Sequence, residues 1–274
     1  ASIFQVGSPV YEEESDIEVA EISGLAMLKT LEVFWKHNPK EKIYLLLLSK
    51  SYANYAFGFL ENRMLQYQYT DAAKYQIYLE RAKLFYTRGK DFGMQLMRRN
   101  DSGFEKALQG GLETLRKKLG DYWRTDVDGL FWLTFSWGSF INLNKESVES
   151  VGDLALVEAM MSRIVEVYPS FFYGGPLLFY GVYYASRPPM LGGDPVKSKE
   201  FFEKAAKVTD GKFLMAYALE AQFLAPQTQD RVLFDEMVGK VQQGSAEALP
   251  EQRLAGQLAK QRVQFLKANE SHYF

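Results

Sequence analysis

The sequence predicts an all-α fold, arranged as an array of helix–turn–helix repeats with flanking helices at its N- and C-terminal ends. Three observations predict it. Apolar residues recur at the spacing of a helix face along nearly the whole chain, and the alternation typical of strands is nearly absent. The prolines, nine in 274 residues, separate the periodic segments. One apolar pattern also recurs in several of these segments, which indicates a repeat.

The individual helices follow from this period and from the turn residues between segments. Residues 1–15 carry the acidic run Glu12–Glu14 and are expected to form a flexible N-terminal tail. Residues 16–274 are expected to form a single all-helical domain. Its predicted helices are Asp16–Lys36, Lys40–Tyr67, Asp71–Arg99, Ser102–Leu119, Asp126–Leu143, Asp153–Tyr168, Ser170–Ser186, Pro195–Val208, Lys212–Ala225, Gln229–Gln243 and Leu249–Ala268.

Several aspartates stand where helix starts are predicted. Asp194 precedes Pro195, which combines an N-cap residue with proline at the first helical position. Asp153, which follows Gly152, is expected to cap the predicted helix Asp153–Tyr168. Asp126 and Asp128 also lie at a predicted helix start, so capping is their expected role rather than acid–base chemistry.

The recurring pattern places three residues on one helix face, at i, i+4 and i+7. It occurs at Tyr75/Leu79/Ala82, Val157/Met161/Ile164, Ser198/Phe202/Ala205 and Phe234/Val238/Val241. Successive occurrences are 82, 41 and 36 residues apart, and the widest gap leaves room for a degenerate repeat between Asp101 and Gly120. Since the tetratricopeptide period is about 34 residues, the pattern predicts degenerate tetratricopeptide-like units.

One predicted repeat is unusually aromatic. Its first helix, Tyr173–Arg187, is dense in tyrosine and phenylalanine, and the enlarged loop Pro188–Asp194 connects it to Pro195–Val208. The first helices of such repeats line a concave inner surface, so this helix is expected to line a groove or an enclosed channel. A well-filled helical core is the other explanation of an aromatic content of 15%.

Composition excludes several classes of function. A net charge of -2 without a basic block argues against a dedicated nucleic-acid-binding protein. The longest apolar run, Ile43–Leu48, is far shorter than the 18 or so residues of a membrane-spanning helix. The chain has no cysteine, which excludes disulfides, thiolate metal sites and cysteine nucleophiles. It begins at Ala1 rather than methionine, so the absence of a targeting segment decides nothing.

The sequence contains no set of residues that indicates catalysis, a metal or a cofactor. His37 lies at a predicted helix end and His272 near the last residue, and neither has a metal-ligand partner at useful spacing. The chain lacks the phosphate-loop, dinucleotide-binding and HExxH motifs. We therefore expect a protein that is not an enzyme, with no cofactor and no metal site.

Arg187 is the one charged residue that the pattern associates with the aromatic helix. It follows Tyr183 and Tyr184, where its guanidinium could bind a carboxylate in a bidentate fork. The alternative is that Arg187 hydrogen-bonds the last carbonyls of its own helix.

Several stretches resemble the T component of the tetratricopeptide-repeat-associated TRAP transporters. They are residues 119–144, 168–208 and 211–238, together with KSYANYAFGFLE (50–61) and RAKLFYTRGKDFG (81–93). The most specific is YYASRPPMLGGDP, residues 183–195. The resemblance covers roughly residues 20–268. Within the family, the sequence is similar to the spirochaete periplasmic lipoprotein.

The resemblance implies a periplasmic lipoprotein that associates with the solute-binding P component of a TRAP system. It also implies a homotrimer, with a hydrophobic cleft or pore through each protomer for an apolar or amphipathic ligand. Membrane contact would come only from an N-terminal lipid anchor, and the cysteine that carries such an anchor is not in this sequence. The expected cleft and partner-binding residues are Phe131, Trp132, Phe135, Tyr173, Phe179, Tyr183, Tyr184, Arg187, Phe213 and Tyr217.

Two other functions compete with this one. A tetratricopeptide adaptor would bind a partner helix or peptide in its groove, with the aromatic residues as anchors and without a small ligand. A hydrolase would need a nucleophile, a base and an orienting residue, which this sequence does not supply.

Overall fold

The structure is a computed structural model that describes residues 3–274, and it is all-α, with no strand in that range. In the first half of the chain the helices are α1 (Ile3–Glu12), α2 (Ile17–His37), α3 (Lys42–Tyr55), α4 (Glu61–Tyr67), α5 (Ala72–Asn100), α6 (Phe104–Gln109), α7 (Leu112–Leu119) and α8 (Val127–Leu143). In the second half they are α9 (Val148–Gly152), α10 (Leu154–Val167), α11 (Phe171–Ala185), α12 (Pro195–Val208), α13 (Met215–Leu219), α14 (Ala225–Thr228), α15 (Arg231–Gln243) and α16 (Arg253–Ala268).

Two π-helical turns interrupt otherwise continuous helices. Ala56–Leu60 joins α3 to α4, and Glu220–Leu224 joins α13 to α14. Short 3₁₀ turns lie at Arg124–Asp126, Pro189–Leu191, Ala246–Ala248, Pro250–Gln252 and Glu270–His272. No helix in residues 3–274 combines the length and the apolar character that crossing a membrane requires.

The prediction of one helix over Ser102–Leu119 is wrong. The chain breaks at Gly110-Gly111, where Gly111 has a φ of 85°, and α6 and α7 form on either side. A positive φ is accessible to glycine at little cost but ends a right-handed helix. The short helix α9 was not predicted, and Pro176 lies inside α11 rather than between helices.

The described chain divides into two compact units. Unit 1 contains the chain up to Ser23, together with Asn62–Tyr75 and Ser170–Phe274, and unit 2 contains Gly24–Glu61 and Gln76–Pro169. Of the N-terminal segment 1–15, residues 3–12 form α1, and residues 1 and 2 lie outside the described residues. The single domain over residues 16–274 remains a prediction, because compactness alone does not define a domain.

Unit 2 depends on close contact between α3, α5 and α8. A Cβ added at Gly93 of α5 would lie 2.9 Å from the Leu133 Cα, so α8 can approach only because this position is glycine. One turn earlier on α5, the carbonyl of Gly89 accepts a 2.8 Å hydrogen bond from the buried Ser49 hydroxyl of α3.

In unit 1, α11 and α12 form a tightly packed helical hairpin. The buried Ser198 hydroxyl donates a 2.7 Å hydrogen bond to the Gly181 carbonyl, and a Cβ at Gly181 would lie 2.8 Å from the Phe202 ring. The fully buried Arg262 of α16 donates to the side-chain oxygens of Asn62, at 2.8 Å, and Gln222, at 3.1 Å. These buried bonds tie α4, the second π-helical turn and α16 together.

The residues of the predicted repeat pattern lie largely on buried helix faces. All members of the triplets at Val157, Ser198 and Phe234 are buried, whereas in the Tyr75 triplet only Ala82 is fully buried. Burial of one face is what any amphipathic helix shows. The tetratricopeptide character of these units therefore remains a prediction that is compatible with the fold.

Candidate functional site

An extended aromatic cluster of unit 1 lies on α11 and α12. We name it the aromatic ladder, and its members are Phe179, Tyr180, Tyr183, Tyr184 and Phe201. Rings four residues apart on α11 stack along the helix, with centroids 6.0 Å apart for Phe179 and Tyr183 and 5.9 Å for Tyr180 and Tyr184. Phe201 of α12 stacks on Tyr180 at 5.0 Å and on Tyr184 at 5.9 Å.

The ladder is not part of the closed core. Tyr180 is buried, but the other four rings are only half-buried. Tyrosine rings pair an apolar face with a polar tip, so such a surface can hold an apolar body and still offer hydroxyl groups. Sequence reasoning singled out Phe179, Tyr183 and Tyr184 but missed Tyr180 and Phe201. Tyr180 could have been identified from the sequence, because it lies four residues before Tyr184 and therefore on the same side of the helix.

Arg187 stands at the C-terminal end of the ladder. Its guanidinium carbon lies 3.8 Å from the centroid of the Tyr183 ring, and its side chain is half-buried. Burial is the main cause that lowers the pKa of Arg187, and the neighbouring Tyr183 and Tyr184 oppose it. Within residues 8–274, no acidic side chain pairs with this guanidinium, and it donates no hydrogen bond to the last carbonyls of α11.

The loop between α11 and α12 fixes the backbone around Arg187. The Asp194 N–H donates to the Tyr184 carbonyl at 3.0 Å, which returns the chain to the end of α11. A Cβ at Gly193 would collide with the carbonyl oxygen of Arg187, so this position must be glycine. The Asp194 carboxylate then caps α12 by accepting from the Lys197 N–H at 3.1 Å, as the sequence predicts.

Tyr173 and Phe213 form a second aromatic group in unit 1. Their rings stack with centroids 5.6 Å apart, and Phe213 is buried. Tyr173 has a φ of 57° within a short left-handed stretch that also includes Phe172 and Gly174. Such backbone is rare for an aromatic residue and indicates local strain. Burial and the charges of Glu251 and Glu12 raise the pKa of the Tyr173 hydroxyl.

Tyr217 belongs to a third group, which contains a buried carboxyl that the sequence analysis missed. Glu220 is 6% exposed, and it is the first residue of the second π-helical turn. Burial is the main cause that raises its pKa to about 7. The ammonium of Lys240 opposes that rise and lies 5.1 Å from the Tyr217 ring centroid. A lone glutamate in the apolar run MAYALEAQFL was the available signal.

The remaining predicted site residues lie in unit 2 and pack against one another. Phe131 and Phe135 stack with centroids 5.9 Å apart, and Trp132 meets Phe135 edge-on at 6.1 Å. Phe131 is 2% exposed and Trp132 is 1% exposed, while Phe135 is half-buried. The predicted residues therefore belong partly to unit 1 and partly to unit 2, and Phe131 and Trp132 belong to the core of unit 2.

No group of three or more His, Asp or Glu side chains suited to a metal ion occurs in the part of the chain that the structure describes. Comparison with known proteins supplies the remaining information. A family model described as "TRAP transporter T-component" matches residues 13–274. A protein of Treponema pallidum (strain Nichols), which carries the name "Uncharacterized protein", is 24% identical over 269 residues, covering 97% of this chain and 82% of that protein.

Proposed function

The chain belongs to the TRAP transporter T-component family, which supplies accessory components of transport systems rather than enzymes, and from this we propose a more detailed function. The protein binds the solute-binding P component of its TRAP system in the periplasm. It also offers an apolar or amphipathic ligand a hydrophobic cleft or pore.

The aromatic ladder is the observation that supports the ligand part of this proposal. Binding sites for small molecules are lined mainly by apolar and aromatic side chains with a few polar groups. Half-buried rings with hydroxyl tips and one guanidinium meet that description. We propose Phe179, Tyr183, Tyr184 and Arg187 as ligand-facing residues.

The other predicted residues take different places in this proposal. Tyr173, Phe213 and Tyr217 form a second set of wall residues in unit 1, and Phe135 is the accessible member of the set in unit 2. Phe131 and Trp132 support Phe135 from the core, because their own rings are almost wholly removed from solvent.

The assembly and the location rest on the family resemblance. We propose a homotrimer that is attached to a membrane by an N-terminal lipid, and that exposes its ligand cleft to the periplasm. A cleft in each protomer would let one assembly engage several copies of the P component.

Native mass spectrometry tests this function. The protein is measured alone and after mixing with the cognate solute-binding P protein. Trimers alone, and trimers carrying P-protein subunits in the mixture, are the expected result, and an additional small mass would identify the class of ligand. A monomer that ignores the P protein would contradict the proposal. It would instead favour the adaptor function, in which a partner helix or peptide occupies the groove and no small ligand is bound.

A further inference from the structure

The guanidinium of Arg187 is a positive charge that the fold partly buries without placing an acidic side chain beside it. Its side chain is half-buried against Tyr183, and no acidic side chain of residues 8–274 pairs with it. Buried or half-buried charges are normally paired, because desolvation without compensation is costly. The nearest loop acid, Asp194, is engaged by the backbone N–H of Lys197 at 3.1 Å and by its ammonium at 3.3 Å.

Arg187 is held by contact with Tyr183, whose ring centroid lies 3.8 Å from the guanidinium carbon and whose hydroxyl interacts with the guanidinium. A guanidinium carries five N–H donors, more than one neighbouring hydroxyl can occupy. Those donors form a fork that matches the two oxygens of a carboxylate. The side chain keeps part of its surface in solvent, so a solute can reach it.

The aromatic ladder places an apolar surface directly behind this cation. Phe179, Tyr183 and Arg187 follow one another at intervals of four residues, which places them on one side of α11 and its extension. Two helical turns span about 11 Å, which suits an acyl chain of medium length or a small aromatic body. A ligand bound along this line would have a negative head and an apolar tail.

We propose that Arg187 and the aromatic ladder form a binding site for amphipathic carboxylic acids, with the carboxylate on the guanidinium and the apolar body along Phe179 and Tyr183. This inference rests on the proposed ligand-binding function and specifies its ligand class. It assigns Arg187 as the residue that distinguishes an acid from a neutral molecule of the same shape.

The test compares two probes that differ only in the head group, octanoate and octan-1-ol, by ligand-observed NMR titration and calorimetry at pH 7.5. The wild-type protein is expected to bind octanoate at least tenfold more tightly, because only the carboxylate can form charge-assisted hydrogen bonds with the guanidinium. Arg187→Gln is expected to lose this preference while its affinity for octan-1-ol stays unchanged. Arg187→Lys is expected to keep part of it, because lysine retains the charge but not the fork.

Arg116→Gln is the matched control, because Arg116 is an exposed arginine of α7 that pairs with Glu113 at 3.2 Å. This variant is expected to retain the full preference for octanoate. Circular dichroism checks that each variant is folded. Should Arg187→Gln not fold, the comparison of acid and alcohol in the wild-type protein, at low and high salt, still decides the question.

Several results would overturn the inference. They are equal affinity for the two probes in the wild-type protein, an acid preference that survives in Arg187→Gln, and no binding of either probe. Each of these leaves the mass-spectrometric test of the P-protein complex untouched, so failure of the ligand class and failure of the proposed function are distinguishable.

Discussion

Glu220 allows a quantitative prediction, because it is a carboxyl in a nearly closed environment. It is 6% exposed, and in the described part of the chain its carboxyl neither forms an ion pair nor accepts a hydrogen bond. Lys240 is paired with Glu236 at 2.8 Å instead. The charges that act on Glu220 come from Lys199 and Glu203 of α12 and from Glu236 and Lys240 of α15. Replacing Glu220 with glutamine keeps the shape of the side chain and removes its ionisation.

The expected magnitude follows from the pKa. Burial raises the pKa of Glu220 from the ordinary value of 4.5 to about 7. One pKa unit corresponds to about 1.4 kcal/mol, so the shift amounts to roughly 3 kcal/mol. Because the folded-state pKa is the higher one, Glu220 contributes this stability below pH 4.5 and loses it as the pH rises through 7.

The assay is urea unfolding of the wild type and of Glu220→Gln at several pH values from 5 to 8.5. The difference in unfolding free energy is expected to change by about 2.5 kcal/mol in favour of the variant between the two ends, because part of the effect is already lost at pH 5. The glutamine also changes the unfolding free energy by an amount that does not depend on pH, so only the change of the difference with pH is interpreted. Far-UV circular dichroism follows both units, whereas tryptophan fluorescence follows unit 2, because all four tryptophans, Trp35, Trp123, Trp132 and Trp137, lie there.

Glu149→Gln, at an exposed position on α9, controls for the loss of one surface carboxyl. Parallel pH curves for the wild type and Glu220→Gln would refute the reasoning. They would mean that Glu220 is as well solvated in the folded protein as in the unfolded chain. A variant that loses stability relative to the wild type as the pH rises would show that the charged form is favoured by the fold.

Three further predictions concern packing, helix propensity and a buried hydrogen bond. Gly181→Ala places a methyl group 2.8 Å from the Phe202 ring, and it is expected to lower the unfolding free energy by about 1–3 kcal/mol in urea. Gly239→Ala, within α15 and with no atom within 4 Å of the new methyl, is expected to raise it by about 0.5–1 kcal/mol. Asn62→Leu removes the oxygen that accepts the Arg262 Nε–H, and a loss of about 1–3 kcal/mol is expected, read as a lower melting temperature.

Helix positions could be predicted where the signals are local. The predicted helix Pro195–Val208 coincides with α12 because Asp194 caps it and Pro195 begins it. The signals fail where tertiary contacts decide. The left-handed backbone at Phe172 and Tyr173 carries no glycine signal of its own, and nothing in the sequence of Glu220–Leu224 distinguishes a π-helical turn from an α-helix.

The candidate site was predictable only in part, and for a similar reason. Aromatic residues mark both a core and a binding surface, so their type alone cannot separate the two. Helix α8 is apolar nearly all round, and its Phe131 and Trp132 are in fact buried. Phe179 lies on an equally apolar helix, yet packing leaves it half-buried. Which side of each helix is covered depends on the neighbouring helices.

The path of the loop between α11 and α12 explains why prolines and glycines follow the aromatic helix. Gly174 and Gly181 on α11 let α12 approach closely, and the ladder residues of α11 lie on both sides of Gly181 along the helix. The loop must then return within a few residues, and it does so through the contact of Gly193 with the Arg187 carbonyl, which also accepts from the Gln227 amide at 3.2 Å. The backbone of Arg187 is thus held from two sides before any ligand arrives. Because less freedom is lost on binding, such a cation can orient a ligand that an aromatic surface alone would only retain.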